Sequence, residues 1–153
     1  MTLKTSEGSF EITLDVKDSP NTTASFAELV RKGFFDGLIF HRIVPGFVIQ
    51  GGRPNGDGSG GPGYSTVDEP PSDARYTKGV VAMAKAGNEP AGTSGSQFFV
   101  VTADDARLPP DYALLGNVTN GLDVVERIGT LGDPNTQQPT KQVVIEKATL
   151  SEG

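Results

Sequence analysis

Between Phe40 and Gly52 the chain reads F-H-R-I-V-P-G-F-V-I-Q-G-G, and this segment limits the possible folds more than any other. Side chains two apart in a strand share a face. Arg42 and Gln50 stand among large apolar residues on either side of Pro45-Gly46, a pair that sets a turn. The two halves are therefore predicted to fold back as antiparallel strands that bring Arg42 and Gln50 together. A second segment, Ser94 to Val101, reads S-G-S-Q-F-F-V-V. Its parity places Gln97 and Phe99 on one face, with Phe98 and Val100 on the other. A guanidinium and two amides beside phenyl rings suit an apolar ligand that also carries amide groups. A proline-containing peptide fits that description.

Alternation continues elsewhere. Leu3 to Lys4 and Ser9 to Asp15 flank Gly8, with Phe10, Ile12 and Leu14 alternating with polar residues, which reads as a hairpin. Ser19-Pro20 is a helix start, with serine at N-cap and proline at N1. Phe26, Leu29 and Val30 share one helical face, and Gly33 ends it. Strands are predicted near 38–43, 47–51, 79–84, 97–102, 114–118 and 142–150. A second helix carries Leu122, Val125 and Ile128 on one face and ends at Gly129. The stretches 52–71 and 85–96 read as loops. About eight strands, two helices and no βαβ rhythm predict a mainly β fold, a closed eight-stranded antiparallel β-barrel capped by two α-helices. Closure removes sheet edges.

At 153 residues without repeats or a linker, residues 1–153 are expected to form a single domain burying roughly 70% of its unfolded surface. Twenty glycines and eleven prolines fit a turn-rich β fold. Thirteen basic and nineteen acidic residues give a net charge of −6, which argues against a nucleic-acid or anionic-membrane partner. No cysteine means no disulfide, no thiolate nucleophile and no zinc-thiolate site. It also fits a reducing compartment, so a cytoplasmic location is expected. Met1 precedes T-L-K-T, not a basic and then apolar leader, and no apolar run is long enough to span a bilayer. A soluble monomer is expected.

The two opening segments, with G-x-G-S-G-G-P-G-Y at Gly56 to Tyr64, G-V-V-A-M-A at Gly79 to Ala84 and L-L-G-N-V at Leu114 to Val118, resemble the cyclophilin-type peptidyl-prolyl cis-trans isomerases. The resemblance runs from about Leu3 to about Leu150. Several motifs in one order over a whole domain are far more specific than any one of them. The glycine-rich stretch and short loops look more like microbial members than animal ones. The resemblance implies an eight-stranded barrel with its binding groove on the outer wall, and an enzyme without cofactor or metal. It also implies partners that are proline-containing peptides and unfolded proteins.

Rotation about an X-Pro bond faces a barrier of about 19 kcal/mol, since the amide must lose its resonance. Uncatalysed, it takes on the order of tens to hundreds of seconds. Turnover of about 10³ per second requires removing roughly 6 kcal/mol. No bond to carbon is made or broken, so no nucleophile is needed. A donor aimed at the prolyl nitrogen helps, because the nitrogen lone pair localises only as the amide twists. By resemblance Arg42 occupies the catalytic arginine position. Gln50 would hold Arg42 and bond the substrate carbonyl, and Gln97 would contact the peptide backbone. Phe47, Val48, Phe99 and Leu108 would surround the proline ring, with Tyr112 at its rim. Without the resemblance all four apolar residues would read as core, whereas Phe40 and Phe98 remain core on parity. Ala84-Lys85-Ala86 matches a strip that offers backbone amides to the residue before proline. His41, the only histidine, lies beside the catalytic arginine and is secondary, since isomerisation moves no proton.

Three other patterns carry little. Gly56-x-Gly58-x-x-Gly61 is followed by Pro62-Gly63 where a phosphate-binding helix would have to start. Asp57, Ser59 and Asp68 lack the bidentate glutamate of a calcium loop. Gly92 to Ser96 has serine where G-x-S-x-G needs its second glycine. Against the family pattern, Lys85 replaces a common asparagine, Arg107 a tryptophan, Tyr112 an animal histidine and Arg53 a frequent aspartate. These departures bear on peptide preference and on the family's inhibitor cyclosporin, for which weak affinity is expected. The competing reading is a non-catalytic proline-motif binding or chaperone module, which would not need Arg42.

Overall fold

The computed structural model describes residues 1–54 and 61–151. Its strands are β1 (Thr2–Thr5), β2 (Gly8–Leu14), β3 (Arg42–Val44), β4 (Val48–Gly51), β5 (Thr66–Val67), β6 (Val80–Met83), β7 (Thr93–Ser94), β8 (Phe98–Val101), β9 (Leu114–Asn120) and β10 (Ile145–Thr149). The helices are α1 (Pro20–Arg31) and α2 (Leu122–Gly129). Eight strands form one curled antiparallel sheet in the order β10-β1-β2-β9-β6-β8-β4-β3, while β5 and β7 pair separately. The fold is mainly β with two helices, as the alternation predicts.

The closed ladder expected from the sequence is not what the strand order shows. β3 and β10 lie at opposite ends of the strand order. The segments predicted to begin those strands meet at the isolated bridge Ile39↔Val144. Flanking it, the N–H groups of Gly37 and Phe40 donate to the carbonyls of Ile145 and Val143, at 2.7 and 3.1 Å. Residues 38–41 and 142–144 therefore contribute a short join in place of full strands. The β5–β7 pair falls in segments predicted as loop.

Two apolar clusters form on the two faces of the sheet. The inner one gathers Leu3, Phe10, Ile12, Ile43, Ile49, Val81, Phe98, Val100, Leu115 and Ile145. Phe98 meets Phe26, Phe35 and Phe40 edge-on, at 5.6, 6.0 and 6.0 Å between centroids. α1 contributes Phe26, Leu29 and Val30, and α2 contributes Val124, Val125 and Ile128. The outer cluster holds Val48, Tyr76, Val80, Ala82, Phe99 and Val101. The central strands β4, β6 and β8 are consequently buried on both faces.

The helix ends show how local signals were met. Gly33, at φ +73°, ends α1. Its N–H donates to Val30 and that of Phe34 to Leu29, both at 3.0 Å, the double bond of a Schellman end. At the other end the serine cap fails, because the buried Ser19 hydroxyl makes no hydrogen bond to the first turn. Asp68 replaces it, accepting from the Thr22 N–H at 2.5 Å and from Asn21 Nδ2 at 3.1 Å. Asp68 thus serves the helix and not a calcium loop. Asp57, Ser59 and the first part of the glycine-rich motif lie outside the described residues.

Candidate active site

The turn between β3 and β4 follows from two residues. Pro45 and Gly46, the latter at φ +71°, occupy its centre, and the Phe47 N–H donates to the Val44 carbonyl at 3.0 Å. The register that results pairs Arg42 with Gln50 and Gln50 with Phe99, and Phe99 in turn faces Ala82. These four residues form one row across the outer face of the sheet, with Arg42, Gln50 and Phe99 together as expected. Phe40 and Phe98 are fully buried on the inner side, also as parity predicts.

Above that row lies a cavity of about 250 Å³ lined by Arg42, Phe47, Val48, Gln50, Ala84, Lys85, Phe99, Leu108 and Tyr112. Its floor is Val48 and Phe99, buried in the outer cluster. Phe99 meets Tyr112 edge-on at 5.5 Å. A larger hollow of about 390 Å³ adjoins it across Ala84 and Lys85 and is bordered by Arg53, Ala86, Glu89 and Gln97. The structure thus brings nine of the twelve predicted residues to one cavity. Ala86 and Gln97 line the adjoining hollow, and His41 lines neither.

A chain of amide and guanidinium contacts runs beneath the cavity. Arg42 Nη1 donates to Gln50 Oε1 at 3.0 Å, and Gln50 Nε2 donates to Gln97 Oε1. Arg42 Nε donates to Gln137 Oε1 at 2.9 Å. Gln137 was missed in the sequence, since it stands in a polar loop with no periodicity to mark it. So was Tyr76, which is fully buried. Its hydroxyl donates to the Tyr112 carbonyl at 2.6 Å and accepts from the Tyr112 N–H at 3.1 Å, fixing the backbone of the cavity's rim. Burial raises the Tyr76 phenol pKa, which keeps it a neutral donor.

The Ala84-Lys85-Ala86 strip is less open than expected. The Ala84 N–H donates to the Gln97 carbonyl at 2.9 Å, and the Ala86 N–H to Glu89 Oε1 at 2.7 Å. Two of the three backbone donors are thus already engaged. The Lys85 side chain is only 4% exposed, with Nζ 2.7 Å from Asp111 Oδ2. Its charge is spent on tying the strip to the loop that carries Leu108 and Tyr112. Serine chemistry is likewise unsupported, because Ser94, the serine at the centre of the Gly92 to Ser96 pattern, is buried with its hydroxyl paired to the Thr66 hydroxyl at 3.0 Å. Among the described residues no cluster of histidine and carboxylates suits a metal ion.

Burial is the main cause that lowers the His41 pKa, with Arg53 and Arg42 adding to it and the Gln97 side chain opposing it. The folded protein therefore keeps His41 neutral at a pH where the unfolded chain, near 6.5, takes up a proton. Stability from this group is complete above 6.5 and is lost progressively as the pH falls from there through the lower value of the folded state. Asp36 and Asp105 titrate lower. The Ala148 N–H holds the Asp36 carboxyl below 3.8, and Arg75 does the same for Asp105. Melting curves at pH 7.5 and 5.5 should show a drop that His41→Asn reduces, with turnover unaffected by His41 ionisation. An equal drop in both proteins overturns this assignment.

With this geometry in view, comparisons with known proteins agree with one another. Residues 1–150 match the family described as cyclophilin type peptidyl-prolyl cis-trans isomerase/CLD. The chain is 39% identical to peptidyl-prolyl cis-trans isomerase CYP18-2 of Arabidopsis thaliana, over 95% of this chain and 89% of that protein. It is 40% identical to peptidyl-prolyl cis-trans isomerase-like 1 of Homo sapiens, over the same shares of each. A solved structure of a Cryptosporidium parvum cyclophilin type isomerase, determined in the presence of the dipeptide Ala-Pro, superposes with a TM-score of 0.89 at 27% identity. That match covers 99% of this chain and 98% of the other. Among the described residues no helix is long and apolar enough to cross a membrane.

Proposed function

This chain belongs to the cyclophilin type peptidyl-prolyl cis-trans isomerase family, and we propose that Arg42 is the donor with which it turns X-Pro bonds in flexible or unfolded polypeptides. The observation that carries this reading is the row Arg42–Gln50–Phe99 lining one cavity with an apolar floor. The proline ring enters between Phe47, Val48, Phe99, Leu108 and Tyr112, which fix it while the preceding chain rotates. The Arg42 guanidinium, held from one side by Gln50, donates to the prolyl nitrogen as its lone pair localises. Gln50 and Gln97 meet the peptide backbone, with Ala84, Lys85 and Ala86 along the residues before proline. His41 lies beside Arg42 and transfers no proton. No cofactor or metal takes part.

The same reading makes the protein a single-domain cytoplasmic monomer that assists folding, its sheet closed into a barrel by the join between 37–40 and 143–145. A protease-coupled assay on an X-Pro peptide tests it, since proteolysis of the trans form reports isomerisation. Acceleration of the slow phase is expected. Peptide binding without acceleration replaces the enzyme by a binding module.

Weak cyclosporin binding belongs to this proposal as well. Arg107 is exposed beside Leu108, at φ +55°. Its polar head stays in water, and its flexible stem costs more entropy to order than an indole. A large, mostly apolar cyclic ligand loses more by this than a short peptide. Arg107→Trp should tighten cyclosporin binding in a titration, with little change in peptide turnover. Equal dissociation constants for the two proteins refute it.

A further inference from the structure

The geometry points to Gln137 as a positioning residue that aims Arg42, an inference that rests on Arg42 being the catalytic donor. Gln137 is 95 residues from Arg42 in sequence, yet its Oε1 accepts a hydrogen bond from Arg42 Nε at 2.9 Å. Gln50 Oε1 accepts one from Nη1 at 3.0 Å. A planar guanidinium gripped at Nε and at Nη1 has its plane and its rotation fixed together. The Nη2 amino group is then the one left to face the cavity that Arg42 lines. With Gln50 alone, the group keeps freedom to swing about a single contact.

The loop that carries Gln137 is built to deliver it. The Gln137 carbonyl accepts the Ile43 N–H at 3.0 Å, immediately beside Arg42 on β3. Its N–H donates to the Asp133 carbonyl, and the Asp133 N–H returns to the Gln138 carbonyl, both at 2.8 Å. Asp133 Oδ1 accepts from the N–H groups of Asn135 and Thr136, at 2.8 and 3.1 Å. Gly132 lets this loop sit flush on the strand, since a Cβ there would lie 2.1 Å from the Ile43 carbonyl oxygen. Gln137 itself adopts φ +61°, the left-handed region, where glycine is at ease and any side chain is strained. Among the described residues only Arg107 shares that feature without being glycine. A strained backbone that places an amide on the catalytic guanidinium favours a role in aiming it.

Two substitutions separate aiming from structure. Gln137→Gly removes the amide and also relieves the left-handed strain, so the melting temperature should hold or rise. Turnover should nevertheless fall about 5- to 30-fold, with the affinity for a proline peptide within two-fold. Gln137→Glu keeps an acceptor on Nε and should retain most of the activity. In an Arg42→Ala background Gln137→Gly should cost nothing further, because there is no guanidinium left to aim. Wild-type turnover in Gln137→Gly, or the same fractional loss with and without Arg42, overturns the proposal. If Arg42→Ala itself turns over normally, the fault lies instead with Arg42 as donor.

Discussion

Arg42→Ala should lower turnover by about 10²–10³-fold while peptide affinity stays within a few-fold. The difference arises because the substrate's planar amide offers the guanidinium little. Its nitrogen lone pair is delocalised until the bond twists. The hydrogen bond therefore forms mainly in the transition state, where a positioned, charge-assisted donor contributes about 3–4 kcal/mol in a water-poor site. The half-buried Arg42 lies against the apolar floor of Val48 and Phe99, which excludes some of that water. Arg42→Lys should lose most of the activity as well. An ammonium keeps the charge, but it cannot bond Gln50 and Gln137 through separate nitrogens while presenting a third group to the substrate. Matching losses in turnover and in binding, measured by titration with a peptide, would indicate uniform binding and remove Arg42 from the donor role.

The row that contains Arg42 was legible in the sequence because strand parity is a local property. Pro45-Gly46 marks the turn, and with Phe47 also in the loop Val44 pairs with Val48 and Arg42 lies opposite Gln50, while Phe98 and Phe99 part to opposite faces. Which face looks outward is not local. All four pocket residues Phe47, Val48, Phe99 and Leu108 have core composition, and only the resemblance assigned them to a groove. The elements that escaped notice depend on loops whose placement is tertiary. Gln137 reaches Arg42 only because residues 132–138 fold back on β3. Asp68 caps a helix that begins 48 residues earlier in the chain, where Ser19 carried the ordinary signal. Lys85 and Asp111 look like surface charges until the strip and the rim are brought within 2.7 Å. Two-residue strands such as β5 and β7 are too short to show an alternation at all.

Phe99→Ala should damage both stability and function, and a comparison with Phe98→Ala separates the two. Phe99 is 5% exposed and packs against Tyr76 and Tyr112, at 6.5 and 5.5 Å between ring centroids. Truncating so buried a phenyl ring costs about 3–5 kcal/mol of folding stability. Phe98 is fully buried among Phe26, Phe35 and Phe40, so its truncation should cost a similar amount. The two rings differ in what lies beyond them. Phe98 faces only the inner core, whereas Phe99 is also the floor of the cavity beside Arg42. In folded protein, checked by circular dichroism at low temperature, Phe98→Ala should bind a proline peptide much as the wild type does. Phe99→Ala should bind it more weakly by roughly 1.5–3 kcal/mol, because the proline ring loses the apolar surface it covers. Turnover should fall with binding, since this contact serves ground and transition states alike and its loss is not specific to the twisted amide. If folded Phe99→Ala binds and turns over like Phe98→Ala, the ring is only core. The proline would then have to seat elsewhere along the groove, away from Arg42.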